Sequence, residues 1–245
     1  MNTKNPKVIV VLAAVITLLA TSGCALTRPQ VRVGELQTRS EAVELDDAKS
    51  VSVDINMAAG KLDVGGGANE LLQAKFSYNV AELEPQVAYS GGTLIVRTPD
   101  AQAGVTSLWG LDDYRYEWDL HLNDKVPMAM RIEVGAGNAD LKLGSLSLTR
   151  LDLETGVGPV TVDLTGNWQN DLDANISGGV GELTLRLPRS ACVRVDTEGG
   201  IGKVDAQGLM KDGNEYVNDV CGESEVTLRI DISAGVGNIK LEVGE

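Results

Sequence analysis

The chain alternates apolar and polar residues with a period of two, and at six places the alternation changes parity. Before each change apolar residues step by two, as in Val53, Ile55, Met57 and Ala59, in Ile132, Val134 and Ala136, and in Leu228, Ile230, Ile232, Ala234 and Val236. After it the next apolar residue comes three positions on, and the step of two restarts, as in Leu62 and Val64, Ala139 and Leu141, Leu183 and Leu185, or Ile239 and Leu241. A strand shows one face every second residue, so a step of three needs a bulge or corner to hold that face inward. Glycine supplies the corner, because it reaches backbone conformations closed to other residues. The glycines flanking the six middle residues (Ala59, Ala136, Val157, Val180, Ile201 and Val236) are Gly60, Gly135, Gly137, Gly156, Gly158, Gly179, Gly181, Gly200, Gly202, Gly235 and Gly237, with Ala58 in the first place of the first unit. The middle residues are expected to face the shared interior.

The later units start at 135, 156, 179, 200 and 235. A repeat near 20 residues predicts a solenoid, each coil burying its apolar strip only by stacking on its neighbours. The expected fold is all-β: a single-stranded β-helix-like β-solenoid of strand–Gly-x-Gly–strand coils over 116–245, preceded by an N-terminal β region over 50–115. Within that region strands are expected at 71–79, 87–89 and 94–97, and residues 99–114 read as a mobile loop. The longest spacing, between 200 and 235, marks an insertion near 211–224. No segment past the leader has helical periodicity.

The leader is a different kind of pattern. Lys4 and Lys7 precede an apolar run over residues 8–20, broken only by Thr17. Thirteen residues is short of the ~20 of a membrane span and suits the core of an export signal. Thr21-Ser22-Gly23-Cys24 follows and resembles a bacterial lipobox. The expected division is a lipoprotein signal peptide over 1–23, lipidation of Cys24, and a tether with an edge strand over 24–49. The chain is then exported and held at the membrane of the cell envelope by its acyl chains.

Charge narrows the partners. Removing Lys4 and Lys7 with the leader leaves 19 basic side chains against 35 acidic ones, a net charge of −16. Such a surface repels nucleic acid, and no basic patch with interleaved aromatics offsets it. Cys192 and Cys221 are an even pair in an exported chain and predict a disulfide, with Cys192 pointing outward beside inward Val193.

Candidate chemistry is sparse. The Gly-x-Gly copies lack the third glycine and the helix of a dinucleotide site. His121 is the one histidine and falls on the exposed parity; no Gly-x-Ser-x-Gly or zinc ligand set accompanies it. No metal, cofactor or catalytic residue is expected. Aligned in chain order, the coils place Arg131, Asp152, Asn175, Asp196 and Asp231 in one outward column. Glu133, Glu154, Ser177, Glu198 and Ser233 fall in the next. Asp152, Glu154, Asp196 and Glu198 are therefore the candidate ligand or cation face, against the plainer reading of a solvated sheet surface. Leu108 and Trp109, with Tyr114, Tyr116 and Trp118, concentrate the aromatics, either as a binding edge or as a plug closing the end of the solenoid.

The lipobox-like start, the run Ala59-Gly60-Lys61-Leu62-Asp63-Val64-Gly65-Gly66 and the later Gly-apolar-Gly coils resemble the toast-rack family of exported bacterial proteins. The later part is also similar to putative-adhesin β-solenoid domains and to the C-terminal domain of bacterial envelope-stress regulators. The resemblance covers roughly residues 51–245 and implies a β-helical fold in a cell-envelope setting, with no catalytic residues to transfer. It implies a binding, adhesin-like or scaffolding module with an envelope protein or glycan as partner. An accessory part in envelope-stress sensing is the alternative, and a polysaccharide-acting enzyme a remote one.

Overall fold

A computed structural model describes residues 33–99 and 113–244. Among these residues, apart from one 3-10 turn at Ala81–Leu83, the regular structure is β-strand, and all the strands join one open sheet system. Residues 1–32 and 100–112 lie outside the described part, and with them the signal peptide, Cys24, Leu108 and Trp109.

Each coil is a strand, a corner and a second strand. Two coils are single long strands bent at the glycines, β2 (Val51–Ala68) and β7 (Met128–Lys142). Four more are pairs: β8 (Leu148–Val157) with β9 (Val160–Asp163), β10 (Leu172–Val180) with β11 (Leu183–Leu187), β12 (Cys192–Glu198) with β13 (Val204–Gln207), and β16 (Thr227–Val236) with β17 (Ile239–Val243). A seventh layer comes from β5 (Thr93–Arg97) and β6 (Tyr116–Asn123), whose strands lie 18 residues apart in sequence instead of sharing a tight corner.

The strands pair in parallel, so like positions stack into columns. Before the corner, Val96, Ile55, Ile132, Leu153, Ile176 and Ile232 stand in one row at 0–2% exposure and end on Thr197. After it, Leu120, Val64, Leu141, Val162, Leu185 and Leu241 form a second row as deeply buried, ending on Ala206. The two rows face one apolar core, and each large side chain there contributes about 1.5–3 kcal/mol by leaving water.

The spatial order of coils is not the chain order. The last coil, β16–β17, inserts between β10–β11 and β12–β13. At the other end β2 lies inside, between β7 and the β5–β6 layer. Both outermost layers are thus built from internal chain, and the first and last coils are each held by two ladders.

Antiparallel strands cover most of the stack ends. β4 (Gln86–Ser90) lies on β5, while β3 (Leu72–Tyr78) lies on β6 and carries the edge strand β1 (Gln37–Val43). At the far end β15 (Glu215–Val217) lies on β12, with β14 (Met210–Asp212) beyond it. Phe76 meets Trp118 edge-on, with ring centroids 5.6 Å apart, and Tyr116 lies 5.6 Å from Trp118; its hydroxyl donates to the Leu83 carbonyl at 2.8 Å. Tyr116 and Trp118 are buried, so the described part of the aromatic tract plugs the stack, and burial pushes the Tyr116 phenol well up from its usual range.

Val31–Glu245 is one compact unit in which β6 packs between β2 and β3. Period-two reading along the chain cannot see that a later strand completes an earlier layer. One expectation needs correcting, that the middle residues face the interior. They do stack, in the order Ala59, Ala136, Val157, Val180, Val236 and Ile201. The last four are nonetheless in water: Val157 is 49% exposed, Val180 52%, Val236 48% and Ile201 78%. Alternation assigns a face only while the strand runs straight, and these residues sit mid-corner, where the rule lapses.

The glycines owe their places to crowding between coils as much as to the turn. A Cβ on Gly158 (φ +134°) would lie 1.8 Å from the Gly137 carbonyl oxygen, and one on Gly156 would lie 2.1 Å from that of Gly135. Ala58 fits at the first place of its unit because the β5–β6 layer beyond it has no such corner; instead its N–H meets the Thr98 hydroxyl at 3.1 Å.

Candidate binding surface

The broadest regular surface is the outer face of the strands before the corner. Parallel register brings Asp54, Arg131, Asp152, Asn175, Asp231 and Asp196 into one row and Asn56, Glu133, Glu154, Ser177, Ser233 and Glu198 into the next. The insertion of β16 places Asp231 and Ser233 ahead of Asp196 and Glu198, so Asp196 stands one strand farther from Asp152 than chain order implies.

That displacement separates the four candidate carboxylates into two kinds. Asp152 is held by Arg150, with Nε to Oδ2 at 2.7 Å, and accepts from the Asn175 amide at 2.8 Å. The Arg150 hydrogen bond holds its carboxyl below the usual range, Asn175 adding to the effect and partial burial opposing it. Glu154 accepts from Arg131 at 2.8 Å, and Arg131 also forks onto Glu133, which the Asn56 amide meets at 2.5 Å. Both guanidiniums are pushed up from their ordinary value, the hydrogen bond to the carboxylate on their own strand first.

The other half is not neutralised. Among the described residues no basic side chain ion-pairs with Asp196, Asp231 or Glu198. Asp231 lies opposite Asp196, and on the far side Asp196 faces Glu215, which is bound to Arg194. Adjacent strands run about 4.8 Å apart, so these charges repel across partly screened solvent. Two shallow depressions follow the division. One of about 470 Å³ runs along Glu133, Glu154 and Ser177 beside the first corner glycines; the other, about 260 Å³, is lined by Asn175, Ser177, Asp196, Glu198, Asp231 and Ser233. The described residues contain no group of three His, Cys, Asp or Glu placed to hold a metal ion.

The sequence reading set Arg131 in the outward column but missed that it and Arg150 neutralise half the face. Their signal was legible: Arg131-x-Glu133 and Arg150-x-Asp152 put opposite charges two residues apart, on one face of one strand. It also missed the exposed ridge of Val157, Val180, Val236 and Ile201, which nothing in alternation distinguishes from core. His121 is exposed, its Nδ1 3.1 Å from the Gly66 carbonyl and its Nε2 3.1 Å from Asp119. Cys192 and Cys221 form a disulfide with Cα atoms 4.4 Å apart. Cys192 lies on the outer face as expected but is only 5% exposed, because the insertion carrying Cys221 folds over it.

Comparisons with known proteins agree with this architecture. The family model for the N-terminal domain of toast_rack, DUF2154, matches residues 32–186. Curated proteins give no match. Among solved structures, one described as a putative cell adhesion protein from Clostridium sporogenes is 32% identical with a TM-score of 0.80, covering 86% of this chain and 100% of its own. One described as a putative adhesin from Bacteroides fragilis is 15% identical, with a TM-score of 0.40, over 84% of this chain and 97% of its own. The family match takes in the corners from Gly60 to Gly181 and the neutralised half of the face; on it, and on the full-length likeness to the clostridial structure, the chain belongs to the toast-rack family.

Proposed function

We propose that this protein is an adhesin-like binding module of the cell envelope, held at the membrane by a lipid on Cys24, which presents the outer face of its stacked strands to an envelope protein or glycan. The observation that carries the reading is the likeness, over the whole of that chain, to a protein described as a putative cell adhesion protein. The face itself supports it: a flat, periodic surface with polar side chains about every 4.8 Å is rigid before any partner arrives, which limits the entropy lost on binding. No reaction step is assigned to it, and its action is recognition without chemistry.

The unneutralised end, with Asp196, Asp231 and Glu198, is where a partner supplying cationic groups or hydroxyl donors gains most, since the protein leaves those carboxylates unpaired. Cross-linked pull-down from native membranes is the test. The protein should recover a discrete partner, and the triple change Asp196→Asn, Asp231→Asn, Glu198→Gln should reduce recovery at least about tenfold without altering the melting temperature. Recovery of no protein or glycan by the unaltered chain overturns the reading. The anchor is tested apart from it: Cys24→Ser should move the protein from the membrane fraction to the soluble one, and continued sedimentation with membranes refutes lipidation there.

A further inference from the structure

The stack has four ladder ends, two for the strands before the corner and two for those after it. Three are covered by antiparallel strands: β4 over β5, β3 over β6 and β15 over β12. The fourth, the outer edge of β13, is bare among the described residues, and exposed apolar side chains surround it: Ile201 at 78%, Met210 at 60% and Val204 at 37%. A bare strand edge is a template for another strand.

The edge has a definite pattern of donors and acceptors. The Ile201 N–H donates to the Gly235 carbonyl at 2.8 Å, and the Ile201 and Lys203 carbonyls accept from Gly237 and Ile239 at 3.0 and 2.9 Å. Odd-numbered residues therefore turn their main chain toward the coil beneath. In a parallel ladder the even ones turn away, so Gly202, Val204 and Ala206 offer N–H and C=O groups to the free edge.

We propose that this edge pairs with the same edge of a second copy, antiparallel about a two-fold axis at Val204, joining two stacks end to end. Charge selects both the partner and the register. With Val204 opposite Val204 of the other copy, Gly202 meets Ala206, and Lys203 falls opposite Asp205 twice, once on each side of the axis. These are non-hydrogen-bonded sites, where facing side chains come closest. The adjacent registers place Lys203 against Lys203, or Asp205 against Asp205. Both side chains are exposed; Lys203 has no ion pair among the described residues, while Asp205 accepts from the Gln207 amide at 3.3 Å and lies opposite Lys240 of β17, whose amine pairs with Glu242 at 2.5 Å. The same register sets Ile201 of each copy opposite Gln207 of the other, three residues from Met210, so the exposed apolar groups meet at the two ends of the ladder. Such a contact is isologous and closes at two copies. It does not depend on the binding role proposed above.

The test uses the full chain in native membranes and in detergent, with the parent protein as the zero. Val204→Cys should form a disulfide-linked dimer under mild oxidation, since directly opposed residues of a hydrogen-bonded pair have Cα atoms about 5.5 Å apart. Gln207→Cys should stay monomeric. In the Val204→Cys background, Lys203→Asp alone and Asp205→Lys alone should each slow dimer formation roughly fivefold or more, and the two together should restore it. Melting temperatures measured on the dilute, uncross-linked forms should not change, because both positions are in water when the edge is unpaired. The proposal is overturned if Val204→Cys gives no dimer, if the double exchange does not restore the rate, or if the cross-link leads to a band of another mass, which would show that a different chain occupies the edge.

Discussion

At the scale of single residues, position in the corner decides the consequence of a change more than residue type does. Gly158 has positive φ and the Gly137 carbonyl where a Cβ would sit, so Gly158→Ala combines backbone strain with a clash that only separation of two coils relieves. We expect a loss of at least about 3 kcal/mol in urea unfolding. Gly67 also has positive φ (+95°) but open space around it, and Gly67→Ala should cost only about 1 kcal/mol. Equal losses at the two sites would mean that the turn, and not the close approach of coils, is what requires glycine. Asp152 gives a second prediction. Its carboxyl is depressed in the folded state, so its contribution to stability is present above the unfolded value near 3.9 and is lost as pH falls through the lower folded value. Asp152→Asn should therefore flatten the stability curve below about pH 4 while costing less than about 1 kcal/mol at neutral pH, as expected of a largely solvated pair. A chemical-denaturation series across pH 2–7 reads both effects.

At the scale of elements, the disulfide fastens the outermost coil. β12 is backed by β16 on one side and by only the three-residue β15 on the other, and Cys192–Cys221 ties it to the turn after β15. Closing a loop of 29 residues of sequence separation is worth roughly 3–4 kcal/mol in the chain-entropy model. Reduction should lower the melting temperature by about 6–16 °C in a chain of this size. Hydrogen exchange should quicken first in β12 to β15, with β7 to β10 unaffected. Uniform quickening would show that the bond supports the whole stack and not its end.

The whole molecule inherits its cooperativity from the interleaved order. A solenoid stacked in chain order can fray coil by coil from either terminus. Here the terminal coils β2 and β16–β17 lie inside, so unwinding either end disrupts two ladders at once. Calorimetry should give one transition over Val31–Glu245, with van't Hoff and calorimetric enthalpies equal. Two resolved transitions would instead support a boundary near residue 115. Removing residues 226–245 should likewise prevent native folding, because β12–β13 would lose the coil on which it rests.

The chain's own pattern determined that the protein is all-β, that glycine corners recur and that like residues stack, since period-two alternation and glycine placement are local consequences of strand geometry. The outward parity of Asp152, Glu154, Asp196 and Glu198 followed from the same rule, and the pairing of Cys192 with Cys221 from an even cysteine count past the expected leader. Tertiary structure alone decided which coil lies beside which, and with it that Asp152 and Glu154 are neutralised while Asp196 stands next to Asp231 and Glu198 next to Ser233. It also decided that four corner residues meet water and that β13 keeps an edge bare among the described residues. Coils of nearly identical pattern can stack on one another in many orders, so the choice among them rests on non-local fits that no single segment records: the carbonyl under each glycine, the insertion clamped by the disulfide, and the aromatic plug at the opposite end.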